Sequence, residues 1–149
     1  MYECWTDGSY RSSEDCGGYS AIIVCNGIIE KKLYRGYKHT TNNRMEIMGV
    51  LACLKYFKDP EIITIYSDSQ YVVNSINKNW IGKWISEKDE SKKNMDLWTQ
   101  VYELLQFHTV KCVWVKGHDT NKMNNLADIL AVHAGECLNL PEDNGNIND

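Results

Sequence analysis

The chain has 149 residues, of which 43% are hydrophobic and 24% charged, and a formal net charge of -4. This length suits one domain able to bury ~68–70% of the surface its unfolded form exposes, and the composition excludes disordered, collagen-like and coiled-coil classes. The acidic balance gives no support for nucleic-acid binding, so a polyanionic partner has to be met by local basic patches or by bound cations.

From Tyr2 to about Gly36 the pattern is strand-like: YECWTDGSY, then GGYSAIIVC, then GIIEKKLYRGY. Asn26-Gly27 favours a tight hairpin between the last two, so three antiparallel strands are expected. From Thr41 the period changes. Met45, Met48, Leu51, Cys53, Leu54 and Phe57 recur at near-helical spacing and Pro60 closes the segment, predicting a helix over 42–58. IITIY at 62–66 predicts a strand that ends at Ser67-Asp68-Ser69, and Gln70 to Ile76 a helix. Residues 78–93 mix Trp80, Trp84 and Ile85 with many charges, predicting an exposed helical excursion whose apolar side rests on the body. Met95 to Phe107 is helical, TVKCVWV a strand, and Met123 to Ala134 helical again. The tail from Pro141, PEDNGNIND, is polar and acidic and is expected to be disordered, leaving residues 1–140 as the folded domain. The order βββαβαααβα belongs to a mixed α/β class, antiparallel first and parallel later.

Six cysteines (Cys4, Cys16, Cys25, Cys53, Cys112, Cys137) are scattered, with no C-x-x-C pair and no zinc spacing. Reduced thiols are expected, several of them in apolar runs where cysteine packs as a small hydrophobe. The start MYECWTDGSYR lacks a basic region followed by an apolar one, and no run reaches about 18 apolar residues. A cytoplasmic protein without a membrane partner is the expectation.

Four acids stand in unusual places. Asp7 sits inside the first strand, on the face that Trp5 shares by alternation. Asp68 follows a buried-type strand, at the end where open α/β sheets place their ligands. Glu46 lies early in the first helix beside Met45 and Ile47, and Asp128 lies within the last helix between Ala127 and Ile129. Each alone has an ordinary reading: Glu46 favours the helix dipole, Asp68 caps a helix, Asp128 is a solvated side chain. Together they say more. If the two strands are neighbours and both helices cross them, four carboxylates converge, and repulsion requires bound cations or strongly raised pKa values. Oxygen-only clusters suit Mg²⁺ or Mn²⁺, and two such ions form a clamp for in-line phosphoryl displacement.

WTDGS (5–9), TTNNRMEIM (40–48), YSDSQYV (66–72), WVKGH (114–118) and NNLAD (124–128) together resemble the motifs of type 1, bacterial-type ribonuclease H. The similarity runs in order from about residue 2 to 135. It implies a ribonuclease H-like fold with a five-stranded sheet in order 3-2-1-4-5, and Asp7, Glu46, Asp68 and Asp128 as ligands of two Mg²⁺ or Mn²⁺ ions when substrate is bound. His118 matches the family's histidine that assists proton transfer or product release. Asn42, Asn43 and Gln70 match positions that contact the minor groove of the hybrid, Asn124 one near the scissile strand, and Thr41 part of a pocket for a phosphate of the DNA strand. Trp80 and Trp84 resemble aromatics lining the DNA-strand channel, although a spacing of four is equally that of helix packing. Backbone groups near Gly8 and Tyr10 are the implied contacts for 2'-hydroxyls, which mark RNA.

The implied activity is endonucleolytic cleavage of the RNA strand of RNA–DNA hybrids, leaving 5'-phosphate and 3'-hydroxyl ends, by a monomer with no obligate protein partner. A nuclease or integrase acting on DNA, and a binding module without catalysis, are the competing readings. One departure from the family pattern concerns residues 78–93, where five Lys oppose Glu87, Asp89 and Glu90, a net of 5 − 3 = +2. Many relatives carry a longer, strongly basic protrusion at this place.

Overall fold

The computed structural model describes residues 1–88, 91–117, 120–136 and 138–146. Five strands, β1 (Tyr2–Arg11), β2 (Cys16–Cys25), β3 (Ile28–Lys38), β4 (Ile62–Ser67) and β5 (Thr109–Trp114), form one sheet in the order β3-β2-β1-β4-β5. The first three pair antiparallel, and β1–β4 and β4–β5 pair parallel, as the sequence led one to expect. Asn26 and Gly27 turn β2 into β3 with φ of 52° and 76°. Both residues of a type I′ turn need positive φ, which Asn and Gly supply at least cost.

Among the described residues five helices follow: α1 (Asn42–Tyr56), α2 (Gln70–Asn77), α3 (Trp80–Glu87), α4 (Met95–Phe107) and α5 (Lys122–Gly135). Alternation along β1 divides them between two layers. Cys4 faces a core built with Ile47, Val50 and Leu54 of α1, Val72 of α2, Ile81 of α3 and Trp98 of α4. Its neighbour Trp5 faces the other way, onto Ala127, Leu126 and Leu130 of α5. Of the excursion at 78–93, residues 80–87 form the short helix α3, bounded by left-handed Asn79 and Lys88, with Ile81 buried and Lys83, Ser86 and Glu87 exposed, while Asp89 and Glu90 lie outside the described residues. Among the described residues no helix is long and apolar enough to cross a membrane, and Cys4, Cys16, Cys25, Cys53 and Cys112 are free thiols.

The expected disorder after Pro141 does not hold for residues 141–146. Lys38 and Glu142 form a parallel bridge, and Asp143 is 6% exposed. Composition favoured disorder because the segment is polar and acidic. A buried cation elsewhere in the chain overrides it: Asp143 Oδ2 lies 2.6 Å from Nε of Arg44, itself 1% exposed. Residues 147–149 lie outside the described residues.

Candidate active site

Asp7 and Asp68 are brought together by strand register. β1 and β4 pair parallel with Trp5 opposite Tyr66, so two residues further along Asp7 stands opposite Asp68, immediately beyond the end of β4. Trp5 and Tyr66 stack beneath them with ring centroids 4.1 Å apart. The Trp114 indole, at the end of β5, donates to the Asp68 carbonyl at 3.1 Å, and Ser69 caps α2 by accepting from Val72 N at 3.2 Å. The Asp68 backbone is thus held from both sides.

Glu46 arrives from α1, whose N-cap Thr41 accepts from Arg44 N at 3.1 Å. Gly8 decides how near the helix comes. A Cβ at Gly8 would collide with the backbone of Met45 and Glu46, so only the bare strand lets α1 cross β1 in direct backbone contact. One carboxylate oxygen from each of Asp7, Glu46 and Asp68 then lies within 4.8 Å of the other two. Asp7 and Glu46 are 4% and 5% exposed, and Asp68 is half-buried.

Burial, followed by the neighbouring Glu46 and Asp68 charges, pushes the Asp7 carboxyl far above the usual carboxylate range. Burial and then the Asp68 charge push Glu46 up as well, while its hydrogen bond with Asp7 pulls the other way. The Gly8 N–H, 2.9 Å from Asp7 Oδ1, favours the charged form of both. Glu46 Oε1 is buried with no hydrogen-bond partner. A buried carboxylate oxygen without a donor, beside two further carboxylates, has the chemistry of a hard divalent-cation ligand. These residues fit such an ion.

Asp128 is placed differently from the close trio. α5 is tied to β2 where Ser20 Oγ donates to Ala127 O at 2.6 Å, and Ser20 is the β2 partner of Asp7. Asp128 follows Ala127, is half-buried, and acts on Glu46 through its charge, but it is not one of the three acids within 4.8 Å. Convergence is therefore tight for three acids and looser for the fourth. His118 lies outside the described residues. Its neighbour Gly117 stands so close that a Cβ there would lie 2.9 Å from Asp68 Oδ2.

The remaining residues singled out from the sequence surround this centre unevenly. Asn42 and Asn43 are exposed at the start of α1, Gln70 is exposed at the start of α2, and Gly8, Tyr10 and Thr41 are half-buried. Asn124 is 2% exposed, in the first turn of α5. Trp80 and Trp84 lie 6.3 Å apart, centroid to centroid, and Trp84 also meets Trp98 at 6.4 Å. Lys78 lies over the Trp80 ring and Lys92 over the Trp84 ring, at 5.5 and 5.6 Å. Trp84 thus joins the core while carrying a cation on its outer side.

Sequence reasoning missed Arg44. It was visible only as one letter of TTNNRMEIM, yet it is buried and paired with Asp96 at 2.7 Å and Asp143 at 2.6 Å. The available signal was a charge set between Asn43 and Met45, just ahead of the apolar positions of that helix. Its partners lie 52 and 99 residues away, beyond the reach of any local pattern.

Comparison with known proteins agrees with this geometry. The model of the RNase H family matches residues 1–136. The ribonuclease H of Caldicellulosiruptor saccharolyticus is 46% identical over 134 residues, covering 85% of this chain and 90% of that protein. The ribonuclease HI of a Synechocystis species is 41% identical over 135 residues, covering 87% and 84%. Among solved structures, RNase H1 from the halophilic archaeon Halobacterium salinarum superposes with a TM-score of 0.71 at 22% identity, over 89% of this chain and 96% of that one. With the sheet order, the acidic centre and the family match in agreement, this chain belongs to the RNase H family as a bacterial-type ribonuclease H.

Proposed function

We propose that the chain is an endonuclease that hydrolyses the RNA strand of RNA–DNA hybrids with two bound divalent cations, leaving 5'-phosphate and 3'-hydroxyl ends. The observation that carries this reading is the trio Asp7, Glu46 and Asp68 with the partnerless buried oxygen of Glu46. These three carboxylates, with Asp128 at the margin, would hold Mg²⁺ or Mn²⁺. Such ions supply Lewis acidity to a phosphodiester and make water a nucleophile near neutral pH.

The protein's own contribution is placement. The β1–β4 register fixes Asp7 against Asp68, Gly8 admits Glu46, and the Ser20–Ala127 bond sets α5 and so Asp128. His118 is assigned proton transfer or product release, since its neighbour Gly117 stands against Asp68. Asn42, Asn43 and Gln70, exposed at two helix starts, are assigned to the minor groove of the hybrid, with Gly8 and Tyr10 offering backbone groups to 2'-hydroxyls and Asn124 supporting the scissile-strand side. Thr41, Trp80 and Trp84 are assigned to the DNA strand, and Lys78 and Lys92 over the two indoles add charge there. Free thiols at the described cysteines suit a reducing compartment, so we assign the activity to the cytoplasm; we assign it also to a monomer acting without an obligate protein partner.

The test is incubation of the protein with end-labelled RNA–DNA hybrid, duplex RNA and duplex DNA, each with Mg²⁺, Mn²⁺ or chelator. Cleavage of the RNA in the hybrid alone, abolished by chelator, is expected. A hybrid left whole under every ion overturns the reading.

A further inference from the structure

Residues 141–146 return to the end of β3 as a strap. Lys38 N donates to Pro141 O at 2.9 Å and Asp143 N to Lys38 O at 3.0 Å, while Asn146 Nδ2 donates to His39 O at 3.0 Å. The Asp143 carboxylate accepts from Thr40 Oγ1 at 2.8 Å and from Arg44 Nε at 2.6 Å. The strap therefore holds residues 38, 39, 40 and 44 directly.

His39 lies within that span with φ of 55°, a left-handed conformation that a non-glycine residue keeps only where its surroundings fix it. Between the pinned, buried Thr40 and Arg44 lie half-buried Thr41 and the exposed Asn42 and Asn43. Beside them is a recess of about 580 Å³ whose walls include Tyr10, Asp15, His39 and Thr41, and to which the strap contributes Asn146.

We propose that the strap is a positioning element for substrate binding: Asp143 and Asn146 hold the 39–43 corner in the shape the hybrid meets, and so act on affinity and not on the chemical step. This rests on the assignment of residues 41–43 to the hybrid made above. Charge alone predicts the opposite sign. A chain ending at Leu140 loses three carboxylates, Glu142, Asp143 and Asp149, which on electrostatic grounds should tighten binding of a polyanion.

Steady-state cleavage of a labelled hybrid in Mg²⁺ is compared for the 149-residue protein, a chain ending at Leu140 and Asn146→Ala, at a temperature where circular dichroism shows each folded. In the shortened chain KM is expected to rise roughly tenfold, equivalent to about 1.4 kcal/mol, with kcat within about twofold. Asn146→Ala, which removes the hydrogen bond to His39 O, should raise KM in the same direction by a smaller factor, and it decides alone if the shortened chain does not fold. A KM at or below that of the unaltered protein, or a loss confined to kcat, overturns the inference. If the unaltered protein leaves the hybrid whole, the activity reading falls and takes this inference with it; if it cleaves normally and the variants keep its KM, only the inference falls.

Discussion

Asp7 and Glu46, from a strand and a helix, place their carboxyls side by side at 4% and 5% exposure, and burial together with the neighbouring Asp68 charge raises the cost of ionising both. In the folded, metal-free protein these groups keep protons that the unfolded chain releases above about pH 4. The native state then binds more protons than the unfolded one, and stability falls as pH rises from that point through the raised native values. Melting temperatures in chelator should therefore decline from mildly acidic to alkaline pH by more than in Asp7→Asn. Added Mg²⁺ or Mn²⁺ should reverse the decline, most strongly at high pH, because ligation requires deprotonated carboxylates. A wild-type profile in chelator that parallels Asp7→Asn at every pH sinks this account.

Neutralising one member of the trio should separate stability from activity. Asp7→Asn removes a buried carboxyl that the folded state must keep protonated at pH 8, so the metal-free variant is expected to be more stable at that pH by about 1 kcal/mol or more, the equivalent of roughly one pKa unit of native-state shift. Urea denaturation in chelator measures this. Asp68→Asn is expected to abolish hybrid cleavage while hybrid binding, followed by fluorescence anisotropy, stays largely intact. Retention of full cleavage by Asp68→Asn would remove that carboxylate from the mechanism.

Gly8→Ala tests the backbone contact between α1 and β1. The added methyl has no room beneath Met45 and Glu46, so α1 must shift. Overpacking of this kind costs about 1–3 kcal/mol, and because the shift moves Glu46 away from Asp7, activity should fall even where the variant is fully folded. Unchanged stability and activity would mean that α1 is not seated as described.

Arg44→Ala leaves Asp143, at 6% exposure, without its buried cation. Removing one partner of a buried pair costs about 3–5 kcal/mol, to be read from chemical denaturation. Asp96, the other partner, is held below the usual carboxylate range by its hydrogen bonds to Arg44, against the opposing effect of its own burial. The Arg44–Asp96 contribution is therefore present above the unfolded Asp pKa and lost as pH falls through the lower native value. Asp96→Asn should flatten the acid limb of the wild-type stability profile, and an unaltered acid limb would contradict the assignment.

Residues 78–93 carry a net charge of only +2, so few counterions should be released where this segment meets the hybrid. The logarithm of hybrid affinity against the logarithm of salt concentration should have a shallow slope. A slope corresponding to roughly six or more phosphate contacts would show that other basic surfaces grip the substrate.

Sheet and helices were legible in the sequence because their signals are local. Asn26-Gly27 specifies its own turn, the IITIY run its own strand, and the apolar spacing from Met45 to Leu54 its own helix, within a residue or two of the observed bounds. Asp7, Glu46 and Asp68 stood out as acids in places where acids need a reason. What only the tertiary structure decided is distance. The parallel register of β1 on β4 and the bare backbone at Gly8 make three of the four acids one site, and α5 lies on the opposite layer from α1, which leaves Asp128 at its margin. The fate of residues 141–146 was decided the same way: polar composition favours solvent for a segment considered alone, but a buried guanidinium nearly a hundred positions earlier favours the carboxylate of Asp143 more strongly, and no local pattern in a sequence encodes that pairing.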